Sequence, residues 1–351
     1  MTNPNDTKNS VLISNNNTPI SGNYISGLTQ SDGSFSCGII KTKSIKSPLK
    51  FKPKFTIVVD LDSKETLIKI QKFLGAGLIA EKKNDHTANF IVIKIEDLRT
   101  KIVPHFQKYP VYYEKLHALN LLIKILDIFS KKGLDRDPLL VSMVQYAVSM
   151  NYASRRTDTE IEEFYTLLGL TNKDIPAKIN YTSNEDISFA SAPVKPEFFI
   201  GLIDGDGSFN LVFTKTGRVL PTFSLAISPN SLKLLPLLKK FLGEKGVLEH
   251  YTNVCVYRNR NLEDLKNLVI PFIDSYWLHT EKRDHYKIWK EVCVNYIFPN
   301  SQLGRNVAMN KENLLKVIEL SYNMNKKGKR RKLTKEEYIN SIVQEHSSHI
   351  L

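Results

Sequence analysis

Two nine-residue stretches pair an acid with residues able to place it. The first is Ile25-Ser26-Gly27-Leu28-Thr29-Gln30-Ser31-Asp32-Gly33, and the second is Phe199-Ile200-Gly201-Leu202-Ile203-Asp204-Gly205-Asp206-Gly207. Each runs on into Ser-Phe, at Ser34-Phe35 and Ser208-Phe209. Each opens like an apolar helix, carries glycine at its third position, and ends on an acid followed by a helix-stopping glycine. A glycine inside a helix costs about 1 kcal/mol against alanine. Gly27 and Gly201 are therefore expected where two helix backbones nearly touch. Helices packed that way bring their C-terminal ends together and set Asp32 beside Asp206.

Two carboxylates at the negative ends of helix dipoles repel unless a cation lies between them. Oxygen ligands without His or Cys select Mg²⁺, which keeps waters and accepts one or two carboxylates plus substrate phosphate. Such a site can activate water and stabilise the leaving oxygen in phosphodiester hydrolysis. A single Asp-Gly reads as a turn after a helix; two at matching places read as a site. Asp204 aligns with Gln30, so it is expected to be a helix-end residue and not an essential ligand.

The elements that must position these acids are written twice. Asp32 and Asp206 stand 174 positions apart, and Phe73-Leu74-Gly75 and Phe241-Leu242-Gly243 stand 168 apart. Glu114-Lys115 and Glu281-Lys282 are 167 apart, and Arg155-Arg156 and Arg330-Arg331 are 175 apart. Thr159 with Glu162, and Thr334 with Glu337, read as capping boxes opening equivalent helices. Order kept over so long a stretch means internal duplication. Copy one holds six more residues than copy two between the acid and the second strand. They fall in Lys41 to Pro53, which reads as a lysine-studded loop.

Within each copy, period-two alternation predicts strands with one buried and one wet face. Phe35, Cys37 and Ile39, then Phe55, Ile57 and Val59, point inward, matched by Phe209, Leu211, Phe213, Phe223, Leu225 and Ile227. Helices near Ser63–Phe73 and Ser231–Phe241 follow, the second shortened or kinked by Pro236. Two further strands and a helix complete an αββαββα unit. The expected organisation is a disordered tail at 1–18, a first repeat at 19–174, a linker at 175–195, and a second repeat with a basic end at 196–351. The fold class is α+β.

The chain has 351 residues, and 49 Lys and Arg against 36 Asp and Glu leave a net charge of +13. That excess favours a polyanionic partner. No apolar run is long enough to span a bilayer. Three scattered cysteines form no C-x-x-C pair, which argues against a disulfide framework or a Cys-rich zinc site. The tail, rich in Asn, Thr and Ser and without arginine, does not read as a transit peptide. Heavy use of Lys, Asn, Ile, Leu and Tyr suits an AT-rich organellar gene.

ISGLTQSDG and FIGLIDGDG resemble the LAGLIDADG motif, and the chain is similar to two-motif, single-chain LAGLIDADG homing endonucleases of fungal mitochondrial group I introns. The resemblance implies a pseudo-twofold monomer with motif helices at its interface and antiparallel sheets lying in the DNA major groove. It implies an Mg²⁺-dependent enzyme that cuts both strands of a long, asymmetric target. By position, Asp32 and Asp206 would bind metal, with the carbonyls of Ser31 and Gly205 as further ligands. Lys115 and Lys282 match a basic residue near the attacking water. The wet strand faces would read bases through Ser34, Ser36, Lys54, Thr56, Lys94, Ser208, Asn210, Thr222 and Ser224. The lysines of 41–54, Arg155-Arg156 and the run 326–332 suit phosphate contacts. An RNA-binding maturase acting on group I intron RNA, alone or as a second activity, is the alternative. No membrane partner is expected, and a mitochondrial location is.

Overall fold

A computed structural model describes residues 19–44, 48–130, 137–150, 156–171, 173–181, 193–214, 216–301, 308–324 and 333–348. The tail at 1–18, much of the expected linker, Arg155 and the basic run 326–332 lie outside the described residues.

In copy one, helix α1 (Gly22–Asp32) leads into strands β1 (Gly33–Lys41) and β2 (Leu49–Asp60) and helix α2 (Lys64–Leu74). Strands β3 (Leu78–Lys82) and β4 (Thr87–Val92), a helical run over 95–108, and helices α3 (Tyr113–Ser130), α4 (Asp137–Ser149) and α5 (Asp158–Thr166) complete it. Copy two repeats the order with α6 (Pro196–Asp206), β5 (Gly207–Phe213), β6 (Val219–Ile227), α7 (Leu234–Phe241), β7 (Val247–His250) and β8 (Cys255–Asn259). A helical run over 262–276 and helices α8 (Lys282–Val292), α9 (Lys311–Asn323) and α10 (Lys335–Ser348) follow. The two sheets have the orders β1-β2-β4-β3 and β5-β6-β8-β7, antiparallel throughout. This is the α+β architecture expected from the alternation.

The buried strand faces carry the core of each copy. Phe35 stacks on Phe55 with centroids 5.1 Å apart, and the equivalent Phe209 stacks on Phe223 at 5.5 Å. Pro236 sits in the first turn of α7, which spans 8 residues where α2 spans 11. Gly75 and Gly243 end their helices in the left-handed conformation, at φ 63° and 64°.

Gly33 and Gly207 do not stop their helices that way. Their φ values of −88° and −70° are ordinary extended backbone. Glycine is required there for space: a Cβ would come within 2.6 Å of the Thr29 carbonyl or 2.5 Å of the Ile203 carbonyl as the chain doubles from helix into strand. The interior glycines behave as expected. A Cβ on Gly27 would lie 1.8 Å from the Phe198 carbonyl oxygen, and one on Gly201 would lie 2.1 Å from that of Tyr24. Helices α1 and α6 therefore cross backbone against backbone.

Three expectations are corrected. The second part of the lysine-studded loop is strand: β2 begins at Leu49 and pairs with β1 as far as Lys41. Leu49 and Phe51 are buried while Lys50, Lys52 and Lys54 are exposed, so the insertion lengthens the hairpin and arms its wet face. Pro53 is tolerated because β4 pairs only with Phe55–Asp60, which leaves one side of β2 open there. The first capping box uses Thr157 and Glu160, two residues before the expected pair, whereas Thr334 and Glu337 cap α10 as expected. Arg156 is not offered to phosphate. Its guanidinium donates to the carbonyls of Cys37 (2.8 Å) and Ala147 (3.2 Å), tying α4 to β1.

Candidate active site at the paired helix ends

The crossing at Gly27 and Gly201 determines what happens at the C-terminal ends of α1 and α6. There the Ser31 side chain and the Asp32 carboxylate approach Gly205 so closely that a Cβ on it would meet Ser31 Oγ at 1.9 Å and Asp32 Oδ2 at 2.9 Å. Asp32 and Asp206 thus lie at one junction between the copies. Burial pushes the Asp32 carboxyl up to about 7, and the Asp206 charge adds to that push, against the pull of Lys282 and Lys115. Asp206 is more open to solvent; burial raises it too, and the same two lysines oppose it.

Lys115 and Lys282 flank this junction at the starts of α3 and α8. Burial lowers both ammonium pKa values, while the acids at the junction hold them up. Lys115 Nζ donates to the Gly33 carbonyl. Lys282 Nζ donates to the carbonyls of Gly205 (2.5 Å) and Ile203 (3.2 Å), so it contacts the oxygen expected to serve a metal. The two half-sites are related but not identical.

The donor set suits a hard cation. Half-buried Asp32 bears the charge of Asp206, the nearby donors are carboxylate and carbonyl oxygens, and the two ammonium groups donate to backbone carbonyls at the helix ends. A consequence follows for stability. Asp32 has a folded pKa above its ordinary 3.8, so the folded state binds more protons than the unfolded state between about pH 4 and 7. Its contribution is most favourable below that window and is lost as pH rises through it. In EDTA, Asp32→Asn should melt above wild type at pH 8 and lose that advantage near pH 4. Parallel melting curves for the two proteins across this range would remove the repulsion from the account.

Asp204, expected as a helix-end residue, also anchors other elements. It is 3% exposed and accepts hydrogen bonds from Tyr24 Oη (2.5 Å), His279 N (2.6 Å), Thr280 N (2.9 Å) and the Thr280 hydroxyl. Gln30, 6% exposed, stands at the equivalent place. It accepts from Tyr112 N at 2.9 Å and donates to Tyr112 O and Ser231 Oγ, each at 3.2 Å. Sequence reasoning missed these contacts. The signal was there, since an acid and an amide can each hold a backbone N–H.

Of the nine residues proposed to face bases, Lys54, Lys94 and Asn210 are exposed, and Ser34, Ser36, Thr56 and Ser208 are partly so. Ser34 lies opposite Thr56, Ser36 opposite Lys54, Ser208 opposite Ser224, and Asn210 opposite Thr222. Thr222 and Ser224 are only 4% and 9% exposed. They are short side chains on β6, which lies between β5 and β8. Arg258, opposite Ser224, lies on the same face in a bidentate pair with Glu249. The Ser36 hydroxyl is likewise covered and has no protein partner. Lys94 is exposed but stands beyond β4, at the N-cap of the next helix. Lys50 and Lys52, expected as phosphate contacts on a loop, stand on the wet face of β2, and Arg258 is an addition on the second sheet.

The sequence profile described as LAGLIDADG endonuclease matches residues 25–126 and 199–293. The "Probable intron-encoded DNA endonuclease 1" of Mycosarcoma maydis is 25% identical over 267 residues, covering 75% of this chain and 95% of the relative. The "Probable intron-encoded endonuclease 2" of Neurospora crassa is 25% identical over 303 residues, covering 85% of this chain but 63% of that protein. Among solved structures, I-SmaMI bound to uncleaveable DNA superposes with a TM-score of 0.73 at 23% identity, covering 89% of this chain and 99% of that one. The LAGLIDADG homing endonuclease I-GzeII in complex with its DNA target superposes at 0.70 with 22% identity, covering 89% and 100%. At such identities the structures speak for the fold, and the fold is shared over nearly the whole of each chain. Matched once in each copy, on the helices that cross at Gly27 and Gly201, the motif places this chain in the LAGLIDADG endonuclease family.

Proposed function

We propose that the protein is a site-specific double-strand DNA endonuclease that hydrolyses phosphodiester bonds with Mg²⁺. The observation that carries this reading is the meeting of Asp32 and Asp206 at one junction, flanked by Lys115 and Lys282, between two sheets with polar outer faces. Asp32, Asp206 and the carbonyls of Ser31 and Gly205 would hold the metal. When bound, it would supply positive charge to the phosphate and lower the pKa of water. Lys115 and Lys282 would bring cationic charge to the phosphorane oxygens. Both acids stand together where a nuclease needs them, which favours this reading over an RNA maturase.

On the wet faces, Lys50, Lys52, Lys54 and Asn210 would bond to base edges or phosphates in the major groove, and exposed Val212 and Leu220 offer apolar contact to thymine methyls. The copies differ on these faces, since only the first has the lengthened, lysine-bearing hairpin. An asymmetric target read by a monomer follows from that difference. The intron-encoded fungal relatives, and an amino-acid usage that AT-rich codons would supply, support a gene inside a group I intron of a mitochondrial genome. No described helix is long and apolar enough to cross a membrane.

The test is to let the wild-type protein select cleavable duplexes from a randomised pool in Mg²⁺. Recovery of one long, non-palindromic sequence is expected, and failure to cut any duplex would overturn the reading. With that duplex in Ca²⁺, affinity should drop by roughly 10³-fold or more between 50 and 200 mM salt, as counterion release from 6–10 phosphate contacts requires. A flat salt response would argue against phosphate tracking by these faces.

A further inference from the structure

The segments that carry Lys115 and Lys282 are held by a device unrelated to metal binding. In copy two, Asp204 accepts from His279 N, Thr280 N and the Thr280 hydroxyl, immediately before Lys282. In copy one, Gln30 binds Tyr112 through both its N–H and its carbonyl, three residues before Lys115. Tyr112 and His279 are equivalent by the repeat, as are Gln30 and Asp204. Each segment also bends through a left-handed residue that is not glycine, Tyr113 at φ 54° and Trp277 at φ 61°. Such a conformation persists only where neighbouring contacts over-determine it.

The opposite copy completes each clamp. Tyr24 of copy one donates to Asp204 and packs edge-on against His279, with centroids 4.6 Å apart. Its counterpart Phe198 packs edge-on against Tyr112 at 5.0 Å. Ser63 Oγ accepts from Glu281 N, and the Thr66 hydroxyl donates to the His279 carbonyl at 2.7 Å. In the other direction, Ser231 Oγ accepts from Gln30, while Glu114 accepts from Ser228 Oγ and Asn230 Nδ2. Ser63 and Ser231 lie where strands β2 and β6 give way to helix, so each lysine segment rests on the end of a central strand of the other copy's sheet.

We propose that Gln30 and Asp204 are positioning residues, each setting the lysine of its own copy for one strand of the duplex, with Ser231 and Thr66 of the opposite copies steadying the same segments. This rests on the endonuclease reading and on the lysine roles within it. A misplacement of about 1 Å can cost roughly 10²-fold in rate, so loosening one segment shows as loss of nicking on one strand.

The experiment uses the full-length protein and the duplex it selects from the randomised pool, with each strand labelled at its 5′ end. Lys115→Ala and Lys282→Ala first assign each lysine to the strand whose nicking it slows. Asp204→Ala should then slow the Lys282 strand by about 10- to 100-fold, leave the other strand near the wild-type rate, and leave affinity in Ca²⁺ unchanged. Gln30→Ala should do the reverse. Asp204→Asn, which keeps an oxygen for His279 N and Thr280 N, should restore much of the loss. Should Asp204→Ala fail to fold, Thr66→Val removes a single cross-copy hydrogen bond and should bias nicking against the Lys282 strand. Equal slowing of both strands by the Gln30 and Asp204 variants, with the lysine variants strand-specific, would overturn the inference alone. Lysine variants that cut both strands like wild type would remove the lysine roles and the inference with them.

Discussion

Asp32→Asn should lower the rate of cleavage of the selected duplex by at least about 10³-fold, or about 4 kcal/mol of transition-state stabilisation. Asp206→Asn should do the same. Each substitution keeps the shape of the side chain and removes the charge that a hard cation needs. Neither should weaken DNA binding, because neither acid is among the residues proposed to contact bases, and a lost negative charge near phosphate aids association. Loss of cutting with affinity retained is therefore the signature of a shared metal site. The prediction gains force from the stability result expected of Asp32→Asn in EDTA. Burial and the Asp206 charge raise the Asp32 carboxyl to about 7, so its ionised form is held at a cost in the metal-free fold. One substitution should thus inactivate the protein and relieve its fold. Cleavage of both strands at near wild-type rates by either variant in Mg²⁺ would end the two-carboxylate account.

The fold was readable because its signals are periodic and repeated. Alternation in Phe35-x-Cys37 and Phe55-x-Ile57 has only one structural solution when a sheet has one buried face, and a second copy of the pattern checks the first. The crossing of α1 and α6 was readable from the cost of two helical glycines. What stayed hidden depended on contacts distant in sequence. The stretch from Leu49 to Pro53 alternates like a strand, but as part of an insertion absent from copy two it reads as loop, and its pairing with β1 shows only in three dimensions. Arg156 carries the charge expected of a phosphate contact, yet two carbonyls from separate elements claim it. Thr222 and Ser224 have the polarity of base readers and alternate with the buried Phe223 and Leu225, but they are almost fully buried on a strand flanked by two others. Asp204 was set aside as a ligand because Gln30 replaces it in copy one. That same mismatch fits a role both residues can fill: accepting a backbone N–H from the segment before a lysine.

Gly27→Ala and Gly201→Ala should each cost more than about 3 kcal/mol of stability, beyond the usual range for an added methyl in a packed core. The reason is the identity of the atoms met. The new methyl would lie 1.8 Å from the Phe198 carbonyl oxygen in the first case and 2.1 Å from that of Tyr24 in the second. Both are backbone atoms of the facing helix, and no rotamer change can move them away. Relief requires α1 and α6 to separate along their length, which opens the junction of Asp32 and Asp206 and strains the clamps from Tyr24 to Asp204 and from Gln30 to Ser231. Melting temperature should fall by roughly 10 °C, taking 2–4 °C per kcal/mol for domains of comparable size, and cleavage should fall with it. Gly38→Ala is the control. Its added methyl would come no closer than 3.7 Å to Lys52, an ordinary contact, so it should melt close to wild type. If Gly27→Ala melted like Gly38→Ala, the two helices would not meet backbone to backbone, and the composite site built on their crossing would lose its foundation.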